Sequence, residues 1–139
     1  MSRSALQASS TNVQSVIANS QINVGSIKLR FGRDLGLSNG AIAVKTCGYY
    51  SVEAAVTIQP TAIGETVVKL QYNGVDIPGA IAYGYATEAS QNVTVNLGSI
   101  IRVVCDNGCP CENIPDTVSL VLVDGPGNVT NVLVDVVKL

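Results

Sequence analysis

The side chains in this sequence that are best suited to chemistry are four cysteines, three of which lie close together. They are Cys47, Cys105, Cys109 and Cys111. Three thiolates with one further ligand could hold a tetrahedral zinc ion. However, the spacing C-x₃-C-P-C departs from the usual C-x₂-C pattern, and Asn107-Gly108 interrupts it. Cys105, Cys109 and Cys111 are therefore only weak metal candidates, and we expect no metal.

Disulfide bonds are a second interpretation of the same cysteines, because an even number allows complete pairing. Cys109 and Cys111 flank a proline and are poorly placed to bond each other. The favoured bond would join Cys47 or Cys105 to a partner in the loop, in a protein oxidised after leaving the cell. The third interpretation is four reduced thiols, with Cys105 packed as a small core residue.

The carboxylates give no sign of a catalytic pair. Asp106, Glu112, Asp116 and Asp124 could ligate calcium together with backbone carbonyls, or could form a solvated acidic rim, which we favour. The Asp and Glu residues are scattered over the predicted loops and strands, and the chain has no histidine. The usual general base and nucleophile pairs are therefore missing. We expect no catalytic residues, no cofactor and no enzymatic activity.

Composition limits the class of protein further. The 139 residues are enough for one domain. Hydrophobic residues make up 47% and charged residues 13% of the chain, and the formal net charge is −2. This balance argues against nucleic-acid binding, which needs a basic surface. Polar residues interrupt every apolar run before 18 residues, so we predict no membrane span.

The elements that must position any site are strands. Strand-like runs recur about every eight to twelve residues, which indicates an all-β sandwich or barrel. Asn39-Gly40 and Asn73-Gly74 predict tight hairpins, and Asp124–Gly127 predicts a turn. We expect at most one helical turn, near residues 33–37. The ten predicted strands cover residues 12–17, 22–31, 41–45, 49–59, 66–72, 75–83, 91–97, 100–106, 117–123 and 130–138.

Several of these strands carry apolar residues on both faces. In residues 130–138, Val132, Val134 and Val136 oppose Leu133 and Val137. A two-sheet sandwich has only one internal layer, so a second copy of the chain would cover the remaining apolar face. The alternative is that valine on an outer face reflects strand propensity alone.

Four runs resemble motifs of the complement globular-head and tumour necrosis factor (TNF) superfamily. Cys47–Val56 is similar to the superfamily's strand motif with glycine and tyrosine. Val68–Ile77 is similar to its Asn-Gly hairpin motif. The Gly-Asp entry to a central strand is similar to Gly98–Val103, although Ser99 replaces the aspartate. The final strand is similar to Val129–Leu139. The aromatic core of the superfamily is thin here, with five tyrosines and one phenylalanine.

The resemblance implies a ten-strand jelly roll that forms a homotrimer. The superfamily lines its threefold axis with the strands that correspond to residues 100–106 and 130–138. The trimer-interface residues predicted on this basis are Ile100, Arg102, Val103, Val104, Val132, Val134 and Val136. Related domains occur in bacteriophage head fibres and decoration proteins and on bacterial spores.

The polar N-terminal segment suggests an attachment device. We predict an extended arm at residues 1–21 and a jelly-roll domain at residues 22–139. The arm would dock the trimer to a capsid or another large scaffold. Its predicted anchor residues are Arg3, Leu6, Val13, Val16 and Ile17.

These expectations combine into one functional hypothesis and one alternative. We expect a non-enzymatic bacteriophage head-fibre or decoration protein exposed on the virion surface. The alternative is a trimeric binding module, secreted or on a bacterial cell or spore surface, that recognises protein or glycan through apical loops. Tyr83 and Tyr85 could form such a recognition patch or could pack in the core.

Overall fold

The protein is a sandwich of two antiparallel β-sheets. The computed structural model describes residues 4–104 and 115–139, and these residues form strands and turns without any helix. The twelve strands are β1 (Ala5–Ser10), β2 (Gln14–Val16), β3 (Ser20–Ile22), β4 (Ser26–Phe31), β5 (Leu35–Ser38), β6 (Ala41–Val44), β7 (Gly48–Pro60), β8 (Gly64–Tyr72), β9 (Val75–Ala86), β10 (Val93–Val103), β11 (Asp116–Asp124) and β12 (Gly127–Lys138).

Each sheet contains six strands. Sheet A has the order β10-β7-β12-β1-β4, with β2 paired to one end of β12. Sheet B has the order β5-β6-β11-β8-β9, with β3 paired to β11. Sequence neighbours often lie in different sheets, as in a jelly roll. The predicted all-β jelly-roll sandwich is therefore confirmed.

The core lies between the two sheets and is mostly aliphatic. Each strand contributes alternate residues to it, because side chains along a strand point to opposite faces in turn. In sheet A, Val52 and Val56 of β7 face inward; in sheet B, Leu70 and Leu120 face them from β8 and β11. Tyr50 is the largest fully buried side chain among the described residues, and its hydroxyl donates a hydrogen bond to the Thr46 carbonyl at 3.0 Å.

The two predicted Asn-Gly hairpins are present. Asn39 and Gly40 have φ values of 49° and 76°, and Asn73 and Gly74 have 49° and 81°. Asparagine tolerates this left-handed region and glycine enters it without a steric penalty, so the two residues close a two-residue turn. The first turn joins β5 to β6 and the second joins β8 to β9.

Two expectations about the chain path were wrong. Residues 33–37 form no helical turn, because Leu35–Ser38 pairs with β6 as a strand. The strands predicted at residues 91–97 and 100–106 are one strand, β10, which runs through Gly98 and Ser99 while paired with β7. The end of the second prediction, residues 105 and 106, lies outside the described residues.

The predicted boundary between an arm and a domain at residue 21 is also not observed. Residues Ala5–Ser10 form β1, which is hydrogen-bonded to β12 on one side and β4 on the other. The strand β2 pairs with β12 of sheet A, and the strand β3 pairs with β11 of sheet B. The described part of the N-terminal segment is therefore built into the sandwich.

Candidate functional site

The outer face of sheet A, hereafter face A, is the side of this sheet that points away from the core. Strand register aligns its side chains in rows that cross five strands. One row contains Ile100, Ser51, Val137, Ala5 and Phe31, in the order β10-β7-β12-β1-β4. With strands about 4.8 Å apart, the row spans about 19 Å.

This first row is apolar at both ends and in its middle. Ile100 is 64% exposed, Phe31 is 67% exposed and Val137 is 46% exposed. Tyr49 and Leu29 add further exposed apolar surface one row away on either side. Contiguous exposed apolar groups of this kind mark interaction surfaces, and the opposite face of the same strands is already filled by the core.

The next row of face A is polar at its centre. It contains Gly98, Glu53, Asp135, Gln7 and Leu29 in the same strand order. The Gln7 side-chain amide donates a hydrogen bond to Asp135 Oδ1 at 2.9 Å. Two carboxylates thus lie side by side in the middle of face A.

Two shallow grooves flank this carboxylate pair, and both are lined in part by Glu53 and Asp135. The first groove, of about 400 Å³, extends over Gly98, with Ala55 and Leu133 among its lining residues. The second groove has about 580 Å³ and extends toward β4; its lining includes Leu29 and Phe31. The two carboxylates form the ridge between the grooves.

A positively charged side chain, that of Arg102, lies at the β10 edge of face A. Arg102 is exposed and pairs in register with Tyr49 of β7. The guanidinium carbon lies 6.0 Å from the centre of the Tyr49 ring, within cation–π range. Among the described residues, no carboxylate forms an ion pair with Arg102.

The structure separates the predicted trimer-interface residues into two groups. Ile100, Arg102 and Val104 are exposed on β10 or directly after it. The other four predicted residues are at most 1% exposed: Val103, Val132, Val134 and Val136. They belong to the core of the single chain, so their assignment to an intersubunit surface is wrong. The residues of β12 that do reach face A are Leu133, Asp135 and Val137.

The predicted anchor residues also divide. Leu6 and Val16 are buried in the core, which corrects their assignment to an anchor, whereas Val13 and Ile17 are exposed on either side of β2. Arg3 lies outside the described residues.

The cysteine predictions fall mostly outside the described part of the chain. Cys47, just before β7, is disulfide-bonded. Cys105, Cys109 and Cys111 lie outside the described residues, so the identity of the cysteine that bonds to Cys47 stays a prediction. No cluster of metal-ligating side chains occurs within residues 4–104 and 115–139.

The predicted acidic rim is only partly described. Asp106 and Glu112 lie outside the described residues. Asp116 accepts a hydrogen bond from the Tyr72 hydroxyl, and Asp124 accepts one from the Gly125 amide at 2.8 Å. They begin and end β11 and are not brought together.

A second exposed feature lies on the other sheet. Tyr83 and Tyr85 project from the outer face of β9, opposite Val67 and Glu65 of β8, and both are more than 60% exposed. Core packing, one of the two expectations for these tyrosines, is therefore wrong.

Comparison with known proteins places the fold. No protein-family model and no curated sequence matches the chain at a significant level. The globular domain of zebrafish complement 1qA protein superposes with a TM-score of 0.66 at 13% identity, covering 97% of this chain and 95% of that one. Murine APRIL superposes with a TM-score of 0.65 at 16% identity, covering 99% of this chain and 100% of that one.

A bacteriophage protein shares the same fold. The PRD1 vertex protein P5 superposes with a TM-score of 0.63 at 13% identity, covering 97% of this chain and 72% of that chain. The resemblance to the complement globular-head and TNF superfamily is thus confirmed in the fold: this chain is a TNF-like jelly roll. Within the described residues, no helix is long and apolar enough to cross a membrane.

Proposed function

We propose that this chain is a non-enzymatic structural module that forms a homotrimer through face A. The observation that carries the proposal is the exposed apolar row from Ile100 to Phe31, on a sheet whose other side is the core. Three identical subunits close a ring when each contributes two different patches, which is a heterologous interface. The β10 edge of face A and the remainder of this face, from its centre to β4, supply two such patches.

We further propose that the trimer is displayed on a bacteriophage virion, as a head fibre or decoration protein. The similarity to the PRD1 vertex protein P5, which includes 97% of this chain, supports this setting. Since β1 to β3 are built into the sandwich, attachment to the capsid would use exposed groups of the N-terminal segment. Val13 and Ile17 are exposed apolar residues in the described part of that segment.

Native mass spectrometry of the purified chain tests the trimer directly. We expect three copies for the wild type and a single copy for Ile100→Asp, because the new charge would have to be buried in the interface. Tyr83→Asp is the matched control, an equally exposed apolar position on the other sheet. A wild-type monomer at micromolar concentration would contradict the proposal.

A second candidate function is recognition of a protein or glycan by the trimer. Tyr83 and Tyr85 favour it, because exposed tyrosines offer stiff contact area with a polar tip. If recognition is the function, Tyr83→Ala/Tyr85→Ala keeps the trimer but loses binding on a glycan array or to host-cell extracts. If binding is unchanged, these tyrosines are not the recognition site.

A further inference from the structure

Face A carries opposite charges that have no ion-pair partner within the described chain. Glu53 and Asp135 oppose each other in the β7–β12 ladder, and Arg102 lies at the β10 edge. The ion pairs of the described residues are Lys69–Asp76 and Lys138–Asp34, and neither involves these three side chains. The surface therefore holds a cation and two anions that remain to be matched.

Strand register keeps these charges apart within one subunit. Gly98 pairs with Glu53 and Arg102 pairs with Tyr49, so the arginine lies four positions along β10 from the carboxylate row. At about 3.3 Å per residue this is about 13 Å along the strand, and no ion pair joins Arg102 to either carboxylate among the described residues. The guanidinium instead lies over the Tyr49 ring of its own subunit.

We propose that Arg102 of one subunit binds the Glu53–Asp135 pair of the neighbouring subunit. The proposal rests on the trimer proposed above, and a second copy of this chain is the occupant because the charges of the two patches are complementary. The groove over Gly98 is lined by both carboxylates and leaves space beside them. The guanidinium is suited to this site because it donates several hydrogen bonds in a fixed plane.

The arrangement gives the interface a direction. Arginine lies at one edge of face A and the carboxylates lie at its centre, so each subunit donates to the next and accepts from the previous one. Such head-to-tail contacts close into a ring when the rotation fits. The ion pair would also relieve the repulsion between the two opposed carboxylates.

Charge reversal tests the pairing. Removing one partner of a buried charge pair leaves the other uncompensated, so we expect Arg102→Glu to raise the trimer dissociation constant by about 30-fold or more. The double variant Arg102→Glu/Glu53→Arg should recover most of this loss, because the charges are exchanged. Lys45→Glu, an exposed lysine beyond the end of β6, is the matched control. Sedimentation velocity over a dilution series measures all four proteins, and circular dichroism verifies their folding.

The outcomes separate this inference from the proposed function. A wild type that never trimerises overturns both. If the wild type trimerises and Arg102→Glu dissociates no more readily than Lys45→Glu, the trimer stands and the ion pair is wrong. If Arg102→Glu weakens the trimer and the double variant does not recover, Glu53 is not the partner and the pairing is also wrong. Recovery by the double variant supports it.

Discussion

Glu53 and Asp135 are direct neighbours across the β7–β12 ladder, and both point to the outer face of sheet A. Directly opposed residues of antiparallel strands have Cβ atoms about 4.5–5.5 Å apart, and like charges there destabilise the sheet. Gln7 donates a hydrogen bond to Asp135, but it adds no positive charge. The isolated subunit therefore carries an electrostatic cost that assembly can remove.

The first prediction concerns this cost. In a monomeric background such as Ile100→Asp, Glu53→Gln should raise the free energy of unfolding by roughly 0.2–1 kcal/mol, because it removes one of the two like charges. Urea denaturation measures the change. Glu65→Gln is the control, since Glu65 pairs with Tyr85 rather than with a carboxylate. An equal gain in both variants would show that the neighbouring charge is not the cause.

A buried charged cluster connects both ends of the described chain. The Ser4 hydroxyl donates a hydrogen bond to Asp34 Oδ2 at 2.5 Å, and the Lys138 ammonium lies 3.6 Å from the same oxygen. Ser4 precedes β1, Asp34 precedes β5 and Lys138 ends β12. The Lys138 ammonium also donates to the Thr46 hydroxyl at 3.1 Å.

The second prediction is that Asp34→Ala lowers the free energy of unfolding by about 3 kcal/mol, because it removes a carboxylate facing a mostly buried ammonium. The control is Asp76→Ala, which removes the exposed partner of Lys69 at 2.9 Å. Exposed ion pairs contribute little, so we expect a minor change there. Urea denaturation measures both variants. If Asp34→Ala and Asp76→Ala lose equal free energy of unfolding, burial does not make the contribution of the Asp34 cluster to stability larger than that of an exposed ion pair.

These features differ in how far the sequence could predict them. The hairpins at Asn39-Gly40 and Asn73-Gly74 followed from local backbone preferences, and the sandwich followed from regular strand spacing. Which face of β12 points into the core did not follow from the sequence. Alternation assigns Val136 and Val137 to opposite faces, but it does not say which face is the core when both are apolar.

Other features depend on long-range pairing. The strand β1 contains only one large apolar residue, Leu6, and its order comes from hydrogen bonds to β12 and β4. The placement of Glu53 beside Asp135 comes from a register between residues far apart in the chain. The separation of Arg102 from both depends on a second ladder, β10–β7. Local sequence preferences contain neither register.

The third prediction concerns alkaline pH. Burial, the hydrogen bond to Asp116 and the negative charge of that carboxylate raise the pKa of Tyr72 well above its ordinary value of 10.0. The folded protein therefore keeps the Tyr72 proton at a pH where the unfolded chain loses it. This contribution to stability is complete below about pH 10 and is lost as the pH rises further.

We therefore expect the melting temperature to fall as the pH rises above about 10, and to fall less in Tyr72→Phe, which has no phenol to titrate. Tyr83→Phe, which changes an exposed tyrosine, should retain the wild-type slope. Equal slopes for the wild type and Tyr72→Phe would contradict the assignment.

The last prediction uses two adjacent residues of β12 that point in opposite directions. Val136 is fully buried in the core, whereas Val137 is 46% exposed on face A between Ser51 and Ala5. Val136→Asp places an unpaired charge in the interior of a single subunit, which costs several kcal/mol out of a total stability of about 5–15 kcal/mol. We expect this variant to unfold or aggregate. Val137→Asp should keep the native circular dichroism spectrum and sediment as a monomer, because its charge is buried only in the assembly. A folded Val136→Asp beside an unfolded Val137→Asp would mean that the two faces of β12 are exchanged, and face A would then not be the surface through which the subunits associate.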